Sequence, residues 1–153
     1  MRKNQDVRGF TLIELLVVIA IIGLLASVVL ASLNTARSRG GDASIKSNMA
    51  SIQVQAQIFY DGANPNAYST SGAENGTTVA SCNEGIFTDP NILQAMTAID
   101  AANGTIAMRC TIDATAQMYL FASPLPGGNF WCIDYRGVKV QVAADPGAVY
   151  VCN

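Results

Sequence analysis

Phe10 and Glu14 stand four residues apart, so on a helix they share one face. Glu14 is also the last charge before 22 uncharged residues that run as far as Arg37. A carboxylate at the head of such a run is expensive to place in lipid and marks function there. The chemistry open to it is charge pairing, because a cation brought to the same face offsets its desolvation. Cys82, Cys110, Cys132 and Cys152 form the second reactive group. None makes a C-x-x-C pair, which speaks against zinc and dithiol redox chemistry, and four cysteines allow three pairings. Disulfides suit an exported domain, while free thiols are the alternative in a reducing compartment. The absence of histidine removes Ser-His and Cys-His nucleophile pairs, imidazole metal ligands and near-neutral histidine switches. Asp134 and Asp145 are candidates for calcium, but such a site takes about 6–8 oxygens and no dense ligand loop is visible. Asn75-Gly76-Thr77 and Asn103-Gly104-Thr105 fit the minimal glycosylation sequon, although Asn-Gly is equally a turn signal. Trp131 and Tyr135 are read as core packing and Arg37 and Arg39 as interfacial charges. No catalytic residue, metal site or cofactor is expected, and the chain does not read as an enzyme.

The element that positions Glu14 is a long apolar helix. Only 13% of the 153 residues are charged, against about 25% in an ordinary soluble domain. The shortfall lies mostly in FTLIELLVVIAIIGLLASVVLASLNTA, where Gly23 alone interrupts the apolar helix formers. Its uncharged stretch is long enough for a hydrocarbon core that needs about 20 helical residues. Arg2, Lys3 and Arg8 precede it against a single Asp6, which predicts an anchor with its amino terminus inside and the rest outside. A secretory signal peptide is the alternative, but its apolar region spans only about 7–15 residues and would leave Glu14 unexplained. The net charge of −2 gives no support to a dedicated nucleic-acid binder.

Beyond the anchor the helical signal continues. Ile45, Met49, Ile52, Ala56 and Phe59 alternate at spacings of four and three, one apolar stripe of an amphipathic helix. A helix from Phe10 to about Tyr60 would be roughly 75 Å long. Gly40-Gly41 is a possible hinge in it, each glycine costing about 1 kcal/mol relative to alanine. Residues 61–88 are rich in turn formers, including Ser71-Gly72, and read as a surface loop. Asp89-Pro90 then caps a short helix whose inner side holds Ile92, Leu93, Met96 and Ile99, with Asn103-Gly104 as the stop. Thr105–Ile112, Gln117–Ala122, Phe130–Tyr135, Val138–Val142 and Val149–Cys152 are β-rich runs. Arg136-Gly137 makes a tight reversal between two of them and Pro124–Gly128 a wider loop. The expected architecture is α+β: a long N-terminal α-helix packed on a small antiparallel β-sheet.

Gly9-Phe10-Thr11-Leu12-Ile13-Glu14, followed by Leu15-Leu16-Val17-Val18-Ile19-Ala20-Ile21-Ile22-Gly23, resembles the leader junction of the type IV pilin and pseudopilin family. The likeness covers about the first third of the chain. It implies a basic leader at 1–9 and a hydrophobic membrane and fibre-core helix at 10–36. An amphipathic continuation at 37–60 and a globular head at 61–153 would follow. It also implies a prepilin peptidase that cuts after Gly9, and N-methylation of the new Phe10 amine. Assembly into a helical filament with other copies of itself would follow, Glu14 pairing with a Phe10 amine. The mature chain would carry six basic and ten acidic residues. Partners implied are the inner membrane and a pilus or secretion assembly machinery. The precursor would sit in the cytoplasmic membrane and the product on the cell surface. The favoured cysteine pairing is Cys82–Cys110 with Cys132–Cys152, the latter like the carboxy-terminal disulfide loop of many pilins. Many members have a helix-loosening proline where this chain has Ala31. That leaves Gly23, Gly40 and Gly41 as the points of helix flexibility. The alternatives are a secretion pseudopilin, a minor pilin, or an anchored extracellular binding domain that never assembles.

Overall fold

The computed structural model describes residues 9–70, 73–76 and 81–153. The basic leader before Gly9, the Ser71-Gly72 turn and Thr77 lie outside the described residues. The chain divides into two compact units, residues 1–37 and 38–153. Helix α1 (Leu12–Gly62) supplies the described part of the first unit and the opening of the second. It ends at Gly62, shortly before Asn64-Pro65, where a proline constrains the residue ahead of it and cannot donate a helical hydrogen bond.

In the first unit every residue from Gly9 to Arg37 is exposed, the apolar ones included. Such a surface has no stable place in water. This is the one helix among the described residues long and apolar enough to cross a membrane.

The second unit is built around the predicted stripe. Ile45, Met49, Ile52 and Ala56 are fully buried and Phe59 packs beside them. Against the stripe lies a five-stranded antiparallel meander: β1 (Glu74–Gly76), β2 (Arg109–Ile112), β3 (Tyr119–Pro124), β4 (Phe130–Asp134) and β5 (Lys139–Val142). Helix α2 (Pro90–Asn103) starts where Asp89 accepts the Asn91 and Ile92 N–H groups, and stops at Gly104 in the left-handed conformation. It buries Ile92, Ala95, Met96 and Ile99. Leu93, expected on the inner side, is instead partly exposed, because Ala95 takes the place facing the core.

The central strand β3 is buried along its whole length. Tyr119 and Phe121 enter the main core, whereas Leu120 and Ala122 join Cys132, Cys152, Val138, Val140 and Val142 in a smaller cluster. The cover over that cluster includes Val149–Cys152, which is not the strand its composition suggests. Side chains replace a ladder there: Thr111 Oγ1 donates to Val149 O at 2.7 Å, and the Cys152 N–H donates to Asp134 Oδ2 at 3.0 Å. The expected strand from Thr105 begins only at Arg109, since Gly104–Ile106 form the exit from α2. Residues 61–88 are not merely a surface loop. They contain β1, a 3₁₀ turn at Gly85–Thr88, and the buried side chains of Tyr68, Ile86 and Phe87.

Candidate functional site

Helix α1 opens on a reciprocal cap. The Thr11 N–H donates to Glu14 Oε2 at 2.9 Å and its hydroxyl donates to the same oxygen at 2.8 Å. The Glu14 N–H donates back to Thr11 Oγ1 at 3.3 Å. Thr-x-x-Glu satisfies backbone donors that the first helical turn leaves without partners. The acid also suits the positive end of the helix. Glu14 Oε1 has no protein partner among the described residues. Phe10 lies outside the helix, which begins at Leu12 rather than at Phe10, and is strongly exposed. Within the chain, Glu14 is joined to Thr11. The cap was visible in the sequence as a threonine three residues before a glutamate.

The three glycines differ in surroundings. Helix α1 passes through Gly23, Gly40 and Gly41 without a break. A Cβ at Gly23 or Gly40 would meet nothing, whereas one at Gly41 would come within 2.9 Å of the Pro126 ring. The adjacent Asp42 Oδ1 accepts the Gly127 N–H at 3.0 Å. Gly41 thus lets the β3–β4 loop approach the helix, a packing role that the hinge reading missed.

The structure joins Cys82 to Cys110 and Cys132 to Cys152, with Cα atoms 6.0 and 5.9 Å apart. The second bond holds the chain end to β4, and Asp134 reinforces it. This fully buried carboxylate accepts from Arg136 Nη2 at 2.6 Å and from the backbone N–H groups of Arg136, Val138 and Cys152. Arg136 Nη2 also donates to Cys152 O at 3.3 Å. Burial pushes the Asp134 carboxyl up, yet the Arg136 guanidinium and those N–H groups outweigh it and hold the group below the usual carboxylate range. Asp145 is lowered chiefly by its bond to Arg109, 2.7 Å away. Both aspartates face donors, an arrangement unlike a calcium cage. Asn103 is buried with its amide engaged by Ile106 and Ser123, so it presents no glycosylation site. Trp131 is half-buried under Lys46, whose Nζ lies 4.6 Å from the ring centroid.

Comparison with known proteins decides what the amino-terminal arrangement belongs to. Residues 4–30 match the prokaryotic N-terminal methylation motif. Over 127 residues the chain is 32% identical to a type IV wide pilus major component of Thermus thermophilus, covering 83% of this chain and 80% of that protein. The chain belongs to the type IV pilin family. This pilin is also 36% identical over 59 residues to a type IV major pilin protein of Myxococcus xanthus. That match covers 39% of the pilin and spans 27% of the relative. No solved structure matches the pilin significantly. Its long helix on an antiparallel sheet is the α+β architecture expected from the family resemblance.

Proposed function

We propose that this pilin is the structural subunit of a surface filament and polymerises through α1. The observation that carries the reading is the amino-terminal stretch of α1, apolar and exposed on every side, with one carboxylate at its head. In lipid that stretch is a stable anchor, because a helix satisfies its own backbone groups. Within a bundle of identical helices the same surface is again removed from water. The precursor has Arg2, Lys3 and Arg8 on the cytoplasmic side and its head outside. A prepilin peptidase cuts after Gly9, whose lack of a side chain suits a narrow slot, and the Phe10 amine is methylated.

Cleavage creates the cation that Glu14 lacks. Thr11 occupies Oε2, and the open Oε1 receives the Phe10 amine of a neighbouring subunit. A paired charge is tolerated in an apolar bundle and an unpaired one is not, so pairing sets the register of each incoming copy. The chemistry needs no cofactor and no catalysis by the pilin itself. Similarity over four-fifths of a wide pilus major component favours a filament-forming role over a secretion pseudopilin or minor pilin.

Mass spectrometry of sheared filaments tests the processing step. The expected product starts at methylated Phe10, and filaments built from chains that retain residues 1–9 would overturn it. Glu14→Val tests the pairing: the variant is expected to reach the membrane normally but to yield at least tenfold fewer filaments. Wild-type yields from Glu14→Val would remove the charge from the mechanism. Pilin that stays in the membrane under all conditions would instead support an anchored binding domain.

A further inference from the structure

Three segments of the second unit meet where the chain leaves the apolar stretch. A Cβ at Gly127, in the β3–β4 loop, would lie 2.6 Å from Asp42 Oδ2 and 3.5 Å from Ser38 Oγ. One at Gly41 would lie 2.9 Å from the Pro126 ring and 3.5 Å from Ala102 O, near the end of α2. The turn that follows α2 belongs to the same corner. Asn103 Nδ2 donates to Ser123 Oγ at 3.1 Å, and Ser123 precedes Pro124, the last residue of β3 before the loop. Ser38 directly follows Arg37, where the run of 22 uncharged residues ends. As a helix such a run rises about 33 Å, enough to fill a hydrocarbon core of about 30 Å. Connectivity alone therefore keeps Ser38 at the level of the lipid headgroups, and this corner with it.

The backbone donors of that corner are engaged by the protein itself. The Gly104 and Thr105 N–H groups both donate to Asp100 O. Asn103 Oδ1 accepts the Ile106 N–H at 3.1 Å, and Asn103 Nδ2 donates to Ile106 O at 3.1 Å. In the loop, the Leu125 N–H donates to Asn129 O, the Gly127 N–H to Asp42 Oδ1 and the Gly128 N–H to Leu125 O. Pro126, between them, has no N–H. A turn in water can leave such groups to the solvent, whereas a layer poor in water demands a protein partner for each. On the turn so sealed stands one large apolar side chain, Ile106, 53% exposed above the buried Asn103. Arg39 follows Ser38 and is exposed, and Arg37 precedes it. Neither arginine makes an ion pair among the described residues, whereas Arg109 on β2 is held by Asp145 at 2.7 Å.

We propose that this corner is a lipid-contact site. In the membrane-anchored pilin the Ile106 side chain enters the headgroup layer of the leaflet on the head's side, and Arg37 and Arg39 engage lipid phosphates there. An apolar tip at the boundary between headgroups and acyl chains is removed from water. Long basic side chains next to it reach phosphate oxygens while their stems stay in the apolar layer. The sealed turns let the corner enter without stranding a backbone donor. The contact rests on the reading of α1 as a membrane anchor and adds a second place where the pilin touches the bilayer.

The test is spin-label accessibility in full-length pilin, reconstituted in vesicles of phosphatidylethanolamine and phosphatidylglycerol. A nitroxide is attached at Ile106→Cys, at Ile58→Cys or at Ile19→Cys, each in chains whose two native disulfides are intact. Ile58 is also exposed but lies about 30 Å beyond Ser38 along α1, and Ile19 lies within the apolar stretch. Collisions with oxygen, which concentrates in lipid, are compared with those of a water-soluble nickel chelate present on both sides of the bilayer. The oxygen-to-nickel ratio at Ile106 is expected to exceed that at Ile58 severalfold. Equal ratios at the two positions overturn the contact. Arg39→Glu in the chain labelled at Ile106→Cys is expected to bring the ratio down toward the Ile58 value, and an unchanged ratio strikes out the phosphate contact. A label at Ile19 as open to nickel as the one at Ile58 would instead refute the anchor itself.

Discussion

Asp134 shows how one residue fixes the chain end. Five donor groups, from Arg136, Val138 and Cys152, converge on it, and two of them come from the same guanidinium. Deleting it strands those donors and exposes Arg136 to an empty site. Asp134→Ala is expected to destabilise the second unit by about 3 kcal/mol, the lower end for breaking a buried ion pair. Trp131, the only tryptophan and a neighbour of Cys132, reports this directly as an unfolding midpoint by fluorescence on the full chain in detergent. A variant within error of wild type would show that the disulfide alone holds the tail. The sign of the pH effect follows from the lowered carboxyl. Its stabilising contribution is complete above the ordinary aspartate value near 3.9 and is lost as pH falls through the lower folded value. Asp113 and Asp145 shift in the same direction. The fluorescence midpoint is therefore expected to drop below about pH 4, with a shallower fall in Asp134→Ala.

Gly40 and Gly41 are adjacent in sequence but opposite in consequence for helix α1. At Gly40 a methyl group meets open space, so Gly40→Ala should stiffen the helix and stabilise it by up to about 1 kcal/mol. At Gly41 the same group collides with Pro126, and Gly41→Ala should cost about 1–3 kcal/mol through overpacking of the β3–β4 loop. Midpoints by Trp131 fluorescence check both, and equal effects at the two positions would dismiss the packing role of Gly41. The contrast also shows what the sequence makes legible. The Ile45–Ala56 stripe, the Asp89-Pro90 start of α2 and the Arg136-Gly137 reversal depend on neighbours within a few residues, and all are readable from spacing. Strand β1 is not, since Glu74–Gly76 has turn-former composition and becomes a strand only by pairing with β2. Val149–Cys152 fails the opposite way, β-rich in composition but held by Thr111, Asp134 and Cys132 in place of a ladder. At the candidate site, Glu14 is legible as an anomaly in an apolar run, and its cap by the short Thr11 spacing. The tie of the buried Asn103 amide to Ser123 is invisible, because the two lie 20 residues apart in the chain.

At the scale of the whole molecule, the two units solve different solvent problems. The exposed apolar surface before Arg37 requires lipid or other copies of itself, whereas residues 38–153 enclose their own core and both disulfides. They also carry five basic and nine acidic residues, a net charge away from zero that favours solubility. Among the described residues, nothing in the core cluster comes from before Ile45. Ser38 is moreover a residue type that caps a helix start, so truncation there leaves the shortened α1 a serviceable amino terminus. A chain beginning at Ser38 and exported to an oxidising compartment is therefore expected to fold without detergent. Its Trp131 midpoint should lie within about 4 °C of the full-length pilin, roughly the shift that 1 kcal/mol produces in a domain of this size. The same chain lacks Phe10 and Glu14 and should form no filaments, alone or mixed with the full-length protein. Aggregation of the truncated chain on export would show that the core needs the apolar segment to fold. A soluble, strictly monomeric chain would confine assembly to the amino-terminal stretch of α1.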